Sequence, residues 1–450
     1  MKRILLALTL VLAVQVASAQ ATAEAARKAI AKAVEATENP KKATKVATWL
    51  ALGKAYMGAY NQPTAKVVMG VSKTYLAEIM AEKPTSEVQV VVGDTPMTKW
   101  IFPDKELFFD ASGNIVTSHV TKFPVDEPLY NAFLAYQKAH ELDVQGSKTK
   151  DILVALEDIA NKYVADAGLD FNLGDFVASS EKFEKAAEVS AAAPLSKPDG
   201  MSLANAGLGA MRASDYDRAL ELCKKALALS YYDEGNLFLR VAAIYAEKGD
   251  KASQKEYLEK GVEACPENKD LLISLIDCYL FNNEDPAKLF ELTAKAIETN
   301  PTNAYPHYAQ GIIYDQMSKS EQIKTDIAKA EECIENAAEC FDRAAAVDPT
   351  YEFSFVGKGQ MYYNRAIILS EIASAELDND KWNMLRDMLY NYFEKATDPL
   401  KKGYEVSNIP DVKVALAELL KVCYYNLSSK DEKFTPDYEK WNAVYKELIK

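Results

Sequence analysis

One recurring pattern constrains this chain more than any other feature. A large residue, a small one and an aromatic share one helical face. A second stretch then places a large residue between two small ones, and a proline often follows. Trp49-x2-Leu52-Gly53-x2-Tyr56 is a stretch of the first kind. Ala132-x3-Tyr136-x2-Ala139, Ser179-x3-Phe183-x2-Ala186 and Ala219-x3-Cys223-x2-Ala226 are of the second, the last two preceded by Asp175-Phe176 and Asp215-Tyr216. Leu258-x2-Gly261 is closed by Pro266, Ala296 by Pro301 and Phe341-x2-Ala344 by Pro349, and Phe393-x2-Ala396 comes last. Spacings of three and four put these residues on one side of a helix. Such a helix cannot bury its face alone, so units of this kind stack on one another. With 18 Gly and 17 Pro in 450 residues, chain breakers are scarce, and 49% apolar residues argue against disorder.

The Trp49 to Tyr56 stretch resembles the opening of a tetratricopeptide repeat (TPR), and the later stretches resemble its second helix. Pro266 and Pro301 stand 35 residues apart, close to the repeat length. The resemblance runs from about Thr44 to Ile449. It extends to exported TPR proteins of Gram-negative anaerobes, which carry an insert near the N-terminus. It implies a mostly α fold: a TPR-type α-solenoid of stacked helix hairpins, each with a helix A and a helix B, plus a small antiparallel β insertion. It brings no catalytic residues.

Three units depart from the pattern between helix A and helix B. The first is split, with helix A at Trp49 to Tyr56 and helix B at Ala132 to Asp143. Between them lie β-rich runs at Val88 to Val92, Thr98 to Phe102, Glu106 to Phe109 and Ile115 to Thr117. Punctuated by Asp94, Pro96, Pro103 and Gly113-Asn114, they predict a meander of three or four strands. Pro84 and Pro124 bound it, and a helix is expected over Thr64 to Glu82. Too few strands are present for an independent core, so the insert must lean on helices. The units opening at His307-x3-Gly311-x2-Tyr314 and Phe355-x3-Gly359-x2-Tyr362 are expected to extend both helices, through Lys319 to Cys333 and Ala366 to Met388. The domain division is therefore 1–19 signal peptide, 20–143 first unit split by the insertion (about 84–124), and 144–450 solenoid with two extended hairpins.

Met1-Lys2-Arg3, an apolar stretch from Ile4 to Val16 and Ala17-Ser18-Ala19 read as a cleaved secretory signal. The stretch is shorter than the roughly 20 residues that span a bilayer. No cysteine follows it to carry a lipid anchor and no second apolar run is long enough to span, so the mature chain is expected in the periplasm without a transmembrane segment, soluble or held at the outer membrane through a partner. Net charge is −14, so nucleic acid is excluded as a partner by phosphate repulsion. Cys223, Cys265, Cys278, Cys333, Cys340 and Cys423 lack framework spacing and read as buried thiols, with one Cys265–Cys278 bridge left open.

No phosphate loop, nucleophile elbow, dinucleotide fingerprint or zinc spacing occurs, so no catalytic residue, cofactor or metal is assigned. Gly357-x-Gly359 lies in a helix A and reads as a close helix approach. An enzyme site in the insert, around Trp100, Asp110 and His119, is the weakest alternative. The chain reads instead as a non-enzymatic scaffold or adaptor binding a protein or peptide. Its concave groove, carried over from the TPR register, is expected at Phe171, Met211, Leu239, Phe281, Tyr308 and Tyr363. A carbohydrate- or small-ligand-binding protein of an uptake system is the alternative, motivated by 25 Tyr and 4 Trp. The sequence names neither partner nor oligomeric state.

Overall fold

A computed structural model describes residues 22–80, 82–282 and 285–450. The signal segment expected over 1–19 lies outside the described residues. The fold is the expected one, mostly helical TPR-type hairpins with a small antiparallel sheet near the N-terminus. The chain divides into two compact units between Asp233 and Glu234.

The first unit runs α1 (Ala23–Glu38), α2 (Pro40–Ala43), α3 (Val46–Asn61), α4 (Lys73–Ile79), β1 (Ser86–Val92), β2 (Thr95–Ile101), β3 (Lys105–Phe109) and β4 (Ile115–Val120). It continues with α5 (Pro128–Leu142), α6 (Thr149–Leu173), α7 (Phe176–Ala191), α8 (Gly200–Arg212) and α9 (Tyr216–Ala228). Helices pack as the pairs α3/α5, α6/α7 and α8/α9. In the first pair, a Cβ built on Gly53 would lie 2.8 Å from two ring carbons of Tyr136. The small residue of the motif is therefore the seat of the large residue on the second helix. The Asp-aromatic dipeptides are helix starts. Asp175 and Asp215 accept from the backbone N–H of Ala178 (3.0 Å) and Arg218 (3.1 Å), satisfying donors that a helix start leaves unpaired.

The sheet is a meander in the order β1-β2-β3-β4, antiparallel throughout. On one face Trp100, Leu107 and Phe109 pack with Leu76 of α4 and with Ile115. On the other face lie Lys99, Glu106, Phe108 and His119, because side chains alternate along a strand. The helix expected over Thr64 to Glu82 contracts to α4. Gly70 takes a left-handed φ of +78°, and the backbone there joins the sheet: Gly70 N–H donates to Ile115 O and Ile115 N–H to Val71 O, both at 2.9 Å. Pairing with β4 replaces helical bonds over that stretch.

The second unit contains α10 (Asn236–Glu247), α11 (Lys251–Ala264), α12 (Lys269–Asn282), α13 (Pro286–Thr299), α14 (Tyr305–Lys319), α15 (Ile327–Val347), α16 (Glu352–Ala375), α17 (Asn379–Val406), α18 (Pro410–Lys430) and α19 (Thr435–Leu448). These pair in sequence from α10/α11 to α18/α19. Both helices of α16/α17 are long, 24 and 28 residues. The preceding pair differs from expectation, since α14 has 15 residues and only α15, with 21, is extended. Residues 321–325 form turns, and Asp326 starts α15 afresh by capping Lys329 N–H. The Arg365 guanidinium, buried on α16, secures this connection by donating to Lys324 O (3.3 Å) and pairing with Glu331 (3.1 Å). Tyr392 donates its hydroxyl to the same Glu331 carboxylate.

Candidate functional site

The six expected groove residues fall in both units. Phe171, at the end of α6, is half-buried and meets Phe176 edge to face with centroids 5.1 Å apart. Met211 on α8 and Leu239 on α10 are half-buried. Phe281, near the end of α12, is 85% exposed. Tyr363 on α16 packs edge-on against Phe393 at 6.0 Å.

Tyr308 lies at the centre of a ring cluster that the sequence reading did not assemble. Its centroid lies 6.2 Å from Tyr305, 5.8 Å from Phe341, 5.7 Å from Tyr351 and 6.3 Å from Phe353. Tyr305 and Tyr308 stand on α14, while Tyr351 and Phe353 stand at the start of α16, so two successive helix A starts meet through aromatic rings. Gly311 and Gly357 make room for the shared Phe341 ring, since a Cβ on either would come within 2.7 Å of it. Tyr351 and Phe353 follow Pro349 closely in sequence; that clustering of rings at a helix start was the available signal.

Asp277 ties this cluster to α12 by accepting the Tyr305 hydroxyl. Burial pushes the Asp277 carboxyl up, with the Tyr305 bond opposing it. Burial, then the bond to Asp277, raises Tyr305. Residues four apart share a helix face, so Phe281 stands one turn beyond Asp277 on the same side of α12. A face thus runs from exposed Phe281 through the Asp277–Tyr305 pair and Tyr308 to Phe353, which is 39% exposed. Each titratable group on it is already paired or embedded among rings. The face suits contact with apolar or aromatic side chains, which are enriched at recognition surfaces.

The three insert residues do not converge. Trp100 faces α4 and donates its indole N–H to Glu87 at 2.5 Å. Asp110 caps the β3–β4 turn by accepting from the N–H groups of Ser112 and Asn114 at 2.9 Å. His119 lies on the opposite face of the sheet from Trp100. Its Nε2 stands 3.3 Å from Asp170 on α6 and its Nδ1 3.6 Å from Glu106. Asp170 is buried and also pairs with Lys182 of α7 at 2.6 Å. The Asp170 bond holds the imidazole above its ordinary pKa against burial. On Asp170, burial acts upward and is outweighed by bonds from His119 and Lys182, so the carboxyl sits low. Together with Gly93 N–H donating to Asn172 O at 3.1 Å, this pair anchors the insert on α6 beside Phe171. Among the described residues no cluster of His, Cys, Asp and Glu could hold a metal ion, and no helix is long and apolar enough to cross a membrane.

No protein-family model matches the chain, nor does any curated protein. Among solved structures it is similar to a TPR protein from Parabacteroides merdae, at 16% identity over 59% of this chain and 98% of that one, TM-score 0.36. It is also similar to YrrB, described as a TPR protein with an unusual peptide-binding site, at 20% identity over 47% of this chain and 97% of that one, TM-score 0.34. A third is a thermophilic TPR protein from Thermus thermophilus, at 16% identity over 48% of this chain and 98% of that one, TM-score 0.31. These likenesses are partial, each spanning about half of this chain.

Proposed function

We propose that this chain is a non-enzymatic exported scaffold that binds a protein or peptide partner in the cell envelope. The observation that carries this reading is the aromatic face of the second unit, where Phe281 stands 85% exposed one helical turn from Asp277, the carboxylate that binds Tyr305 of the ring cluster. A fully exposed Phe gains from water exclusion once a partner covers it, by about 2 kcal/mol. Phe171, Met211 and Leu239 supply further half-buried apolar surface on helix A positions. The Lys2-Arg3 start, the apolar run and Ala17-Ser18-Ala19 support export and residence in the periplasm. The matching domain division is signal 1–19, a first hairpin split by its insertion over 20–143, and stacked hairpins over 144–450.

Site-specific photo-crosslinking tests the reading. A crosslinker at Phe281 should form one discrete adduct with an envelope protein in cells, and one at Lys295, on the neighbouring helix B, should not. Equal labelling from both positions, or none from either, refutes it. N-terminal sequencing of the periplasmic fraction should begin at Gln20. A second reading, carbohydrate or small-ligand binding, draws on the Asp277 carboxylate beside the rings, but that carboxylate is already engaged by Tyr305. Calorimetric titration with oligosaccharides separates the two.

A further inference from the structure

The sheet ends at β1 with an unprotected edge. Among the described residues β1 pairs with β2 alone, so about half of its backbone N–H and C=O groups point away from the sheet. Val88 and Val91 are 38% and 65% exposed. Proteins usually blunt such an edge with Lys, Pro or a bulge. Ser86–Val92 contains no Lys and no Pro, and the register shift in this sheet lies between β3 and β4, away from the edge. Backbone chemistry therefore sets the occupant: another extended strand.

The side-chain pattern selects which strand. Read antiparallel against itself about Gln89, Ser-Glu-Val-Gln-Val-Val-Val brings valine against valine on one face, with Ser86 opposite Val92 at the ends. Val88 meets Val90, Gln89 meets its own copy, and Glu87 meets Val91, so no like charges are opposed. Glu87 is the only charge on the strand and is already held by Lys73 at 2.8 Å. A two-fold interface requires such self-complementarity, and β-branched cross-strand pairs favour it.

We propose that two copies of this chain associate through β1, antiparallel about Gln89, to make one continuous sheet. Such a pairing supplies about six to eight backbone hydrogen bonds. One strand of seven residues from each copy makes a small contact, so a weak, reversible dimer is expected, with Kd of about 10–100 μM. This self-association is independent of the partner-binding face of the second unit and can stand or fall without it.

Sedimentation velocity of the mature chain across about 1–200 μM should show a concentration-dependent dimer. Gln89 is exposed and lies on the proposed two-fold. Gln89→Lys and Gln89→Glu should each raise Kd about tenfold by placing like charges opposite one another, with unchanged circular dichroism. Mixing the two variants should restore association, because opposite charges then meet. A wild-type chain that stays monomeric throughout overturns the proposal. So does a dimer indifferent to either substitution, or one that the mixture fails to restore.

Discussion

Gly359 on α16 faces Leu400 on α17 across the longest hairpin among the described residues. A Cβ built there would stand 2.6 Å from both Cγ and Cδ2 of Leu400 and 3.2 Å from its backbone nitrogen. Leu400 is fully buried, so the side chain has nowhere to retreat, and relief requires the two helices to separate. Two effects oppose each other in Gly359→Ala. Removing a mid-helix glycine stabilises by about 1 kcal/mol. Overpacking a filled core destabilises by about 1–3 kcal/mol. The upper end applies because the clash reaches Cγ and backbone, not a flexible tip. The net expectation is a loss of about 2 kcal/mol, or roughly 30-fold faster exchange of α16 and α17 amides under native conditions. Local exchange is the right assay, since a chain of two units need not unfold in one step. Leu400→Ala alone should cost about 3 kcal/mol through its cavity. Combined with Gly359→Ala the losses should fall short of additivity by about 2 kcal/mol, since the new methyl enters the vacated space. If Gly359→Ala slows exchange, and the pair adds, propensity alone governs the position and the close-approach argument fails.

Three further outcomes follow from the geometry. His119 has its pKa raised by the Asp170 bond, so its contribution to docking the insert is complete below its unfolded value near 6.5 and is lost as pH climbs through the folded value. Hydrogen exchange of β3 and β4, corrected for intrinsic rates, should therefore accelerate toward alkaline pH, and His119→Gln should flatten that dependence; an unchanged profile refutes it. Glu331→Ala leaves the buried Arg365 guanidinium without its carboxylate, and a loss of about 3 kcal/mol in the α15–α17 region is expected by denaturant-dependent exchange, the low end for a buried pair because Glu331 is partly exposed. Phe281→Ala should leave exchange rates within error while abolishing crosslinking from a probe placed at Phe353; coupled loss of stability would make Phe281 a packing residue.

Much of the fold was legible from side-chain spacing. A Gly53 opposite a Tyr136, or an Asp before an aromatic, encodes a contact or a cap that any surrounding structure must honour, and each stands where the repeat placed it. The meander of the insert was legible to within one strand, because β-branched runs broken by turn residues leave few alternatives. The boundaries around them were not. Residues 70–71 leave their expected helix at left-handed Gly70 and pair with β4 instead. The charged stretch after Lys319 has a helical composition, yet it turns where Arg365, far along the chain, collects the Lys324 carbonyl.

Pro399 shows the same division from the other side. A local reading ends a helix before such a proline, yet α17 runs on to Val406, its far turns held by buried Leu400 and by Gly403 packed near Val356. The candidate face was half legible. Tyr308 and Phe281 could be named from the repeat register, while the joining of Tyr305 to Asp277 and of Tyr308 to Tyr351 depended on how neighbouring hairpins stack. Sequence alone determined the repeating hairpin, its caps and the strands of the insert, since these are written in residue spacings along each helix and strand and in the turn residues between them. Tertiary structure alone decided where helices stop, how the insert is anchored and which rings meet. Those outcomes depend on buried charges and rings brought together from distant positions, whose pairing energy outweighs local propensity.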